Sequence, residues 1–158
     1  YSEIGKGTSI GIYLPRAEAL ETGTAVRSTG RPLPLAAGET ILVVEDNPDV
    51  RLVTRARLEQ LGYKVLEAET GPAAIEALRS GNPIDLVFSD VVLAGGMSGF
   101  DVARWVAENQ PGRKVLMTSG YPDQVLRSQD ASAAALKILR KPYDLRELAD
   151  HLRSSLAG

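Results

Sequence analysis

The sequence predicts an α/β domain with a doubly wound, five-stranded parallel sheet and helices on both of its faces. Three observations carry that prediction. Five short apolar runs, Ile41 to Val44, Lys64 to Glu67, Asp85 to Ser89, Lys114 to Thr118 and Lys137 to Leu139, are of strand length and alternate with segments of helical period. The helical segments carry start and stop signals of their own. A chain of 158 residues, 44% of them hydrophobic, can bury one good core, or one core plus a fragment of another.

In chain order, the first candidate element is Thr8 to Leu14, TSIGIYL, where Ile10, Ile12 and Leu14 alternate with Ser9, Gly11 and Tyr13 as in a half-buried strand. A lone strand does not fold alone, so it is expected either to stay disordered or to pair with an exposed edge, including that of a second copy in a dimer. From Arg16 to Gly38 the composition turns to Ala, Gly, Thr, Ser and Pro, and the two prolines of RPLPLAAGE forbid a regular helix, so residues 16–38 read as a linker. After the run at Ile41, Asn47 is placed as an N-cap and Pro48 at the first helical position. Val50, Val53, Leu58 and Leu61 then form an apolar face before Gly62 ends the helix. The helix after TGPAA holds Ile75 and Leu78, and the one after Gly99 holds Phe100, Ala103 and Val106. From Pro122 to Ala135 the apolar residues are mostly alanines, the weakest of the helical patterns. The last helix takes Asp144 as its cap and carries Leu145, Leu148, Ala149, Leu152 and Leu156 as its stripe.

Composition excludes several classes of function. A net charge of −2, a pI near 5.5 and scattered Lys and Arg residues offer no surface for nucleic acid or an anionic membrane. The absence of cysteine removes disulfides, thiolate zinc sites and a cysteine nucleophile together. No apolar run reaches 18 residues and no signal segment is present, so no direct membrane contact and a cytoplasmic location are expected. Tyr1 stands where an initiator methionine would, and the chain is expected to belong to something longer.

In open α/β sheets, ligands bind outside the carboxyl ends of the strands, so polar residues there are the informative ones. Glu45 and Asp46 close the first run in ILVVEDNP, and Asp90 closes the third in DLVFSD. Thr118 and Ser119 close the fourth in VLMTSG, and Lys141 follows the fifth in KILRKPY. Three carboxylates on one rim cannot all stay ionised without a cation, and Mg²⁺, which takes one or two carboxylates plus waters and a phosphate, suits the set. With a metal on the acid pair, Asp90 becomes a candidate nucleophile for a phosphoryl group. Lys141 would neutralise the new charge, and the Ser119 hydroxyl could donate to a phosphoryl oxygen. Plainer readings stand beside these: Asp46 or Asn47 as a helix cap, Lys141 as a solvated loop residue, Thr118 as a hydroxyl bonded to the turn. His151 reads as a polar-face residue of the last helix, and Phe100 and Trp105 as packing.

The segment from about Thr40 to Leu156 resembles a receiver domain of the two-component signalling systems. ILVVEDNP, the strand ending in Asp90, the TSG step and Lys141-Pro142 occur in order. The spacings are 44 residues from Asp46 to Asp90, 29 from Asp90 to Ser119 and 22 from Ser119 to Lys141. The resemblance implies a flavodoxin-like sheet of order 2-1-3-4-5, with residues 39–158 as the receiver. It implies that Asp90 accepts phosphate from a phosphohistidine on a histidine kinase core or phosphotransfer protein, and that Ser119 and Lys141 contact the phosphoryl group. Glu45, Asp46, Asp90 and the main-chain carbonyl of Val92 would hold Mg²⁺.

Several positions depart from the family pattern. Leu93-Ala94 replaces the usual Met-Pro pair, and AGGMSG is one residue longer than the commonest loop, with glycines that let it keep its course. Ile138 stands where many members carry a switch aromatic. Val92 and Tyr121 stand where other members orient a hydrolytic water, so a slowly hydrolysed phosphoryl group is expected. The stretch SEIGKGTSIGIYLP resembles the end of a sensor histidine kinase ATP-binding domain, with Gly5, Gly7 and Thr8 as its last glycine box. Residues 1–15 would then be a fragment of that domain, and the parent a hybrid sensor kinase. Two other functions compete with the phosphorylated signalling module. A phosphohydrolase using Asp90 would need a general acid two residues on, where Val92 cannot serve; a degenerate receiver that docks a partner without phosphate would not need Glu45, Asp46, Asp90 and Lys141 intact.

Overall fold

Near-continuous aliphatic runs bounded by capped helices leave little choice but a parallel sheet buried on both faces. The computed structural model describes residues 2, 3, 7, 8, 11, 33–120 and 136–157. Two units are distinguished, Tyr1–Pro32 and Leu33–Gly158. In the first, the two-residue strands Ser2–Glu3 and Gly7–Thr8 pair antiparallel. Of the strand expected over 8–14, Thr8 belongs to this ladder; apart from Gly11 the rest lies outside the described residues, together with its expected edge pairing. The helix expected between Pro122 and Ala135 also lies outside them.

The second unit runs β1 (Thr40–Val44), α1 (Pro48–Gln60), β2 (Lys64–Ala68), α2 (Gly71–Arg79), β3 (Leu86–Asp90), α3 (Gly99–Asn109), β4 (Lys114–Ser119), β5 (Lys137–Arg140) and α4 (Leu145–Ala157). All strands are parallel, in the order β2-β1-β3-β4-β5 that the resemblance implied. Alternate residues serve opposite faces. Ile41, Val43, Leu86, Phe88, Leu116 and Leu139 pack with Leu58 of α1, Leu61 at its C-terminal cap, and Leu148 and Leu152 of α4. Leu42, Val44 and Val87 pack with Ala74 and Leu78 of α2 and Val102 and Val106 of α3.

Two expectations need correction. Val53, assigned to the buried face of α1, is 52% exposed, and the buried positions are Thr54 and Leu58. Steps of four residues place 54 and 58 on one line toward the sheet, and Val53 falls on the adjacent stripe. The linker expected over 16–38 gives way to packed chain at Leu33. Leu33 and Ala36 lie against the core, the Ala36 N–H donates to the Leu61 carbonyl at 2.9 Å, and Glu39 accepts from Arg153 of α4 at 2.6 Å. Proline forbids helix there but does not forbid an extended strap.

The caps follow the sequence. Asn47 accepts from the N–H groups of Asp49 and Val50 at 3.0 and 3.2 Å, with Pro48 opening α1. Asp144 accepts from the Glu147 N–H at 2.8 Å, and Glu147 accepts from the Asp144 N–H at 2.9 Å. Ser98 caps α3: its hydroxyl accepts from the Asp101 N–H at 3.2 Å, while Asp101 accepts from the Ser98 N–H at 2.9 Å. Ser98→Ala removes one side of this reciprocal box and is expected to destabilise the fold by about 1 kcal/mol. Urea denaturation of both proteins checks this; an unchanged midpoint would show that the cap contributes nothing.

Candidate functional site

Strand register builds the rim. Val44 pairs with Ser89, so the next residues, Glu45 and Asp90, emerge side by side at the carboxyl edge. Asp90 pairs with Thr118, and Ser119 pairs with Arg140, one residue short of Lys141. The Lys141 N–H donates to the Ser119 carbonyl at 2.8 Å. Its ammonium donates to Asp90 Oδ2 at 2.7 Å and to Glu45 Oε2 at 2.9 Å. From β5 it must pass β4, at roughly 4.8 Å per strand, which calls for a long unbranched side chain above a small residue such as Ser119.

Glu45 is buried and Asp90 half-buried, so this is no surface ion pair. Burial raises the Glu45 carboxyl; the Lys141 hydrogen bond and charge pull it down, the Asp90 charge pushes it up, and the net displacement is upward. Burial alone would lower the Lys141 ammonium, but hydrogen bonds and charges from Asp90 and Glu45 outweigh it and hold it above its ordinary value. Lys141 therefore stays cationic at neutral pH.

The same rim gathers main-chain donors. The Val92 N–H donates to Asp90 Oδ1 at 3.1 Å, and the Ala94 N–H donates to Asp46 Oδ2 at 3.2 Å, so both aspartates meet one short loop. Glu45 Oε1 accepts from the Asn47 N–H at 3.3 Å. With its other oxygen on Lys141, Glu45 is engaged at both ends. Among the described residues no group of three or more His, Cys, Asp or Glu side chains is poised around a common metal position. Asp46 and Asp90 face this loop with Val92 exposed beside them, and these residues could hold a cation. Mg²⁺ takes one or two carboxylates when waters and a phosphate complete its shell.

Residues 41–153 match the family described as response regulator receiver domain. The chain belongs to that family. It is similar to the sensor kinase CckA of Brucella abortus (strain 2308), 32% identical over 162 residues; the match takes in 98% of this chain and 17% of that protein's length. It is similar to the response regulator receiver protein CpdR of the same organism, 31% identical over 116 residues, 73% of this chain and 95% of that one. The solved structure of the response regulator TrrA from Thermotoga maritima, in complex with Mg²⁺-BeF, shares the fold with a TM-score of 0.66 and 29% identity. That match covers 73% of this chain and 97% of that chain.

The departures from the receiver pattern find places in the structure. Leu93 is buried in the core, and Gly95 and Gly96 take φ values of +92° and +85°, which carry the longer loop. Ile138 packs beside Val91, Ala103 and Met117. Tyr121 lies outside the described residues. An aromatic does stand near the lysine: Tyr143 meets Phe88 edge-on at 6.3 Å, and the Arg57 guanidinium lies 5.8 Å from its ring. His151 Nδ1 lies 2.8 Å from the Glu147 carbonyl, as befits an ordinary helical residue. Among the described residues no helix is long and apolar enough to cross a membrane.

Two supporting residues escaped the sequence reading. Gly99 opens α3 so close to the Asp90 carbonyl that an added Cβ would collide with that backbone oxygen, and the Ser89 hydroxyl donates to the same oxygen at 2.9 Å. The sequence places a helix after Gly99; the close approach comes from the fold. Thr118, expected to hydrogen-bond the turn, has its Oγ1 buried without a partner among the described residues. An unpaired buried hydroxyl is destabilising, so Thr118→Val is expected to stabilise the receiver by about 1 kcal/mol. Thermal unfolding checks this; a lowered Tm would reveal a partner for the hydroxyl.

Proposed function

We propose that this receiver takes a phosphoryl group from a phosphohistidine onto Asp90, relaying or regulating a two-component signal as the receiver end of a hybrid sensor kinase. The observation that carries the reading is the Lys141 ammonium held between Asp90 and buried Glu45. It is a fixed positive charge at a carboxylate that would gain further negative charge on phosphorylation. An Asp90 oxygen attacks phosphorus, a P–O bond forms, the P–N bond breaks with its electron pair passing to the ring nitrogen, and the imidazole leaves neutral, keeping the proton already on its other nitrogen. Lys141 compensates the phosphoryl oxygens, the Ser119 hydroxyl donates to one of them, and Glu45 keeps the lysine aimed. Asp46, Asp90 and the Val92 carbonyl would hold Mg²⁺, which would supply charge neutralisation between carboxylate and phosphate.

Resemblance to the sensor kinase CckA across 98% of the chain supports the hybrid-kinase setting. The surface suits a docked partner. Leu52, Val53 and Val92 are more than half exposed, and a groove of about 410 Å³ between α1 and the Lys141–Tyr143 turn is lined by Val50, Val53, Thr54 and Pro142. Apolar surface around a polar centre fits a protein that brings its phosphohistidine to Asp90.

Incubation with Mg²⁺ and a small acyl-phosphate donor is expected to add one phosphoryl group by intact mass, and Asp90→Asn is expected to add none. Steady release of inorganic phosphate would instead favour a phosphohydrolase, and an unchanged mass a phosphate-independent docking module. The adduct is expected to be long-lived, because exposed Val92 offers no group to orient water. Val92→Asn should shorten its lifetime, as followed by mass over time; a wild-type adduct lost within seconds would refute this.

A further inference from the structure

We infer that Arg51 is a positioning residue for the cation at the phosphoacceptor site, acting through the main chain of the acid pair. This rests on the reading that Asp46 and Asp90 hold Mg²⁺. Arg51 lies in the first turn of α1 and its side chain is only 13% exposed. Nη1 donates to the Glu45 carbonyl at 2.8 Å and to the Asp46 carbonyl at 3.5 Å. Nη2 donates to Glu69 Oε1 at 2.9 Å, and Nε stands 3.9 Å from Glu67 Oε1. The Arg51 N–H donates to the Asn47 carbonyl at 2.9 Å, so main chain and side chain together close the turn that carries both acids.

Stability alone explains this arrangement poorly, since Glu69 is 74% exposed and an ion pair to so exposed a partner adds little. The fork is better accounted for by geometry. A planar guanidinium can span two carbonyls on one side and a carboxylate on the other, fastening the Glu45 and Asp46 peptides to residues at and just past the end of β2. Mg²⁺ demands near-ideal octahedral placement, so a loosened Asp46 would weaken its binding. A guanidinium near a cation site also repels the cation, and Glu67 and Glu69 offset that charge on the side away from the carbonyls. The two effects of removing Arg51 are therefore opposite in sign: lost positioning weakens Mg²⁺ binding, lost repulsion tightens it.

Calorimetric titration of the full chain with Mg²⁺ alone decides between them. Wild type is expected to bind one ion; no binding would defeat the acid-site reading itself. With wild type binding, Arg51→Met is expected to weaken Mg²⁺ about 10-fold, as loss of a supporting partner does at metal sites. Arg51→Lys, whose single ammonium cannot span carbonyls and Glu69 together, should weaken it less. Arg55→Met removes the same charge one turn on, from partners Glu59 and Glu67, and should leave it unchanged. In phosphorylation by the acyl-phosphate donor, Arg51→Met should raise the Mg²⁺ needed for half-maximal rate while keeping the maximal rate at saturating Mg²⁺. Unchanged or tighter Mg²⁺ binding in Arg51→Met, or equal weakening in Arg55→Met, overturns the inference. Should Arg51→Met fail to fold, wild-type affinity in Arg51→Lys overturns it.

Discussion

One ammonium between two carboxylates sets the terms for the rest of this receiver. Parallel strands end together, so a sheet whose strands terminate in acids concentrates like charge at one edge. Glu45 and Asp90, adjacent by register on β1 and β3, would repel each other with little water to screen them. Lys141 relieves that repulsion by reaching Glu45 and Asp90 from the far side of β4. The arrangement constrains everything beneath it. A slip of one residue between any two of these strands would turn Glu45, Asp90 or Ser119 onto the wrong face. The fully buried β1, flanked by apolar layers on both sides, resists such a slip.

Around that ion cluster the backbone does much of the positioning. Val92 and Ala94 each present an N–H to an aspartate, Gly99 lets α3 begin against the Asp90 carbonyl, and Ser89 binds the same oxygen. Arg51 serves the acid pair similarly from α1, through two carbonyls. The chemistry asks for placement of charge more than for a reactive side chain, and placement is what hydrogen-bonded main chain provides. The longer loop after Asp90 does not disturb this, since two glycines absorb the extra residue and Leu93 stays in the core.

The elements and the rim were legible early because both have local signatures. Strand-length aliphatic runs, Asn47-Pro48 and the Asp144 cap mark where structure starts, and acids at strand ends can only lie along one edge of a parallel sheet. Val53 misled because apolar character alone does not say which of two neighbouring stripes faces the sheet. Thr118 misled because a hydroxyl beside a turn is a plausible turn partner until its strand face is known. Leu33 and Ala36, in a stretch with prolines and no period, carried no sign that they would lie against Leu61 and the core.

By itself, then, the amino-acid order determined the α/β class, the strand and helix positions and the identity of the rim residues, since each follows from spacing within a few turns of chain. The tertiary structure alone decided that Glu45 is claimed by Lys141, that Asp46 and Asp90 share a loop, and that Arg51 of α1 ties the acid pair to Glu69 just past β2. These depend on register and side-chain reach between segments up to 96 residues apart, where a shift of a few ångströms chooses one oxygen over another. No local pattern encodes that distance.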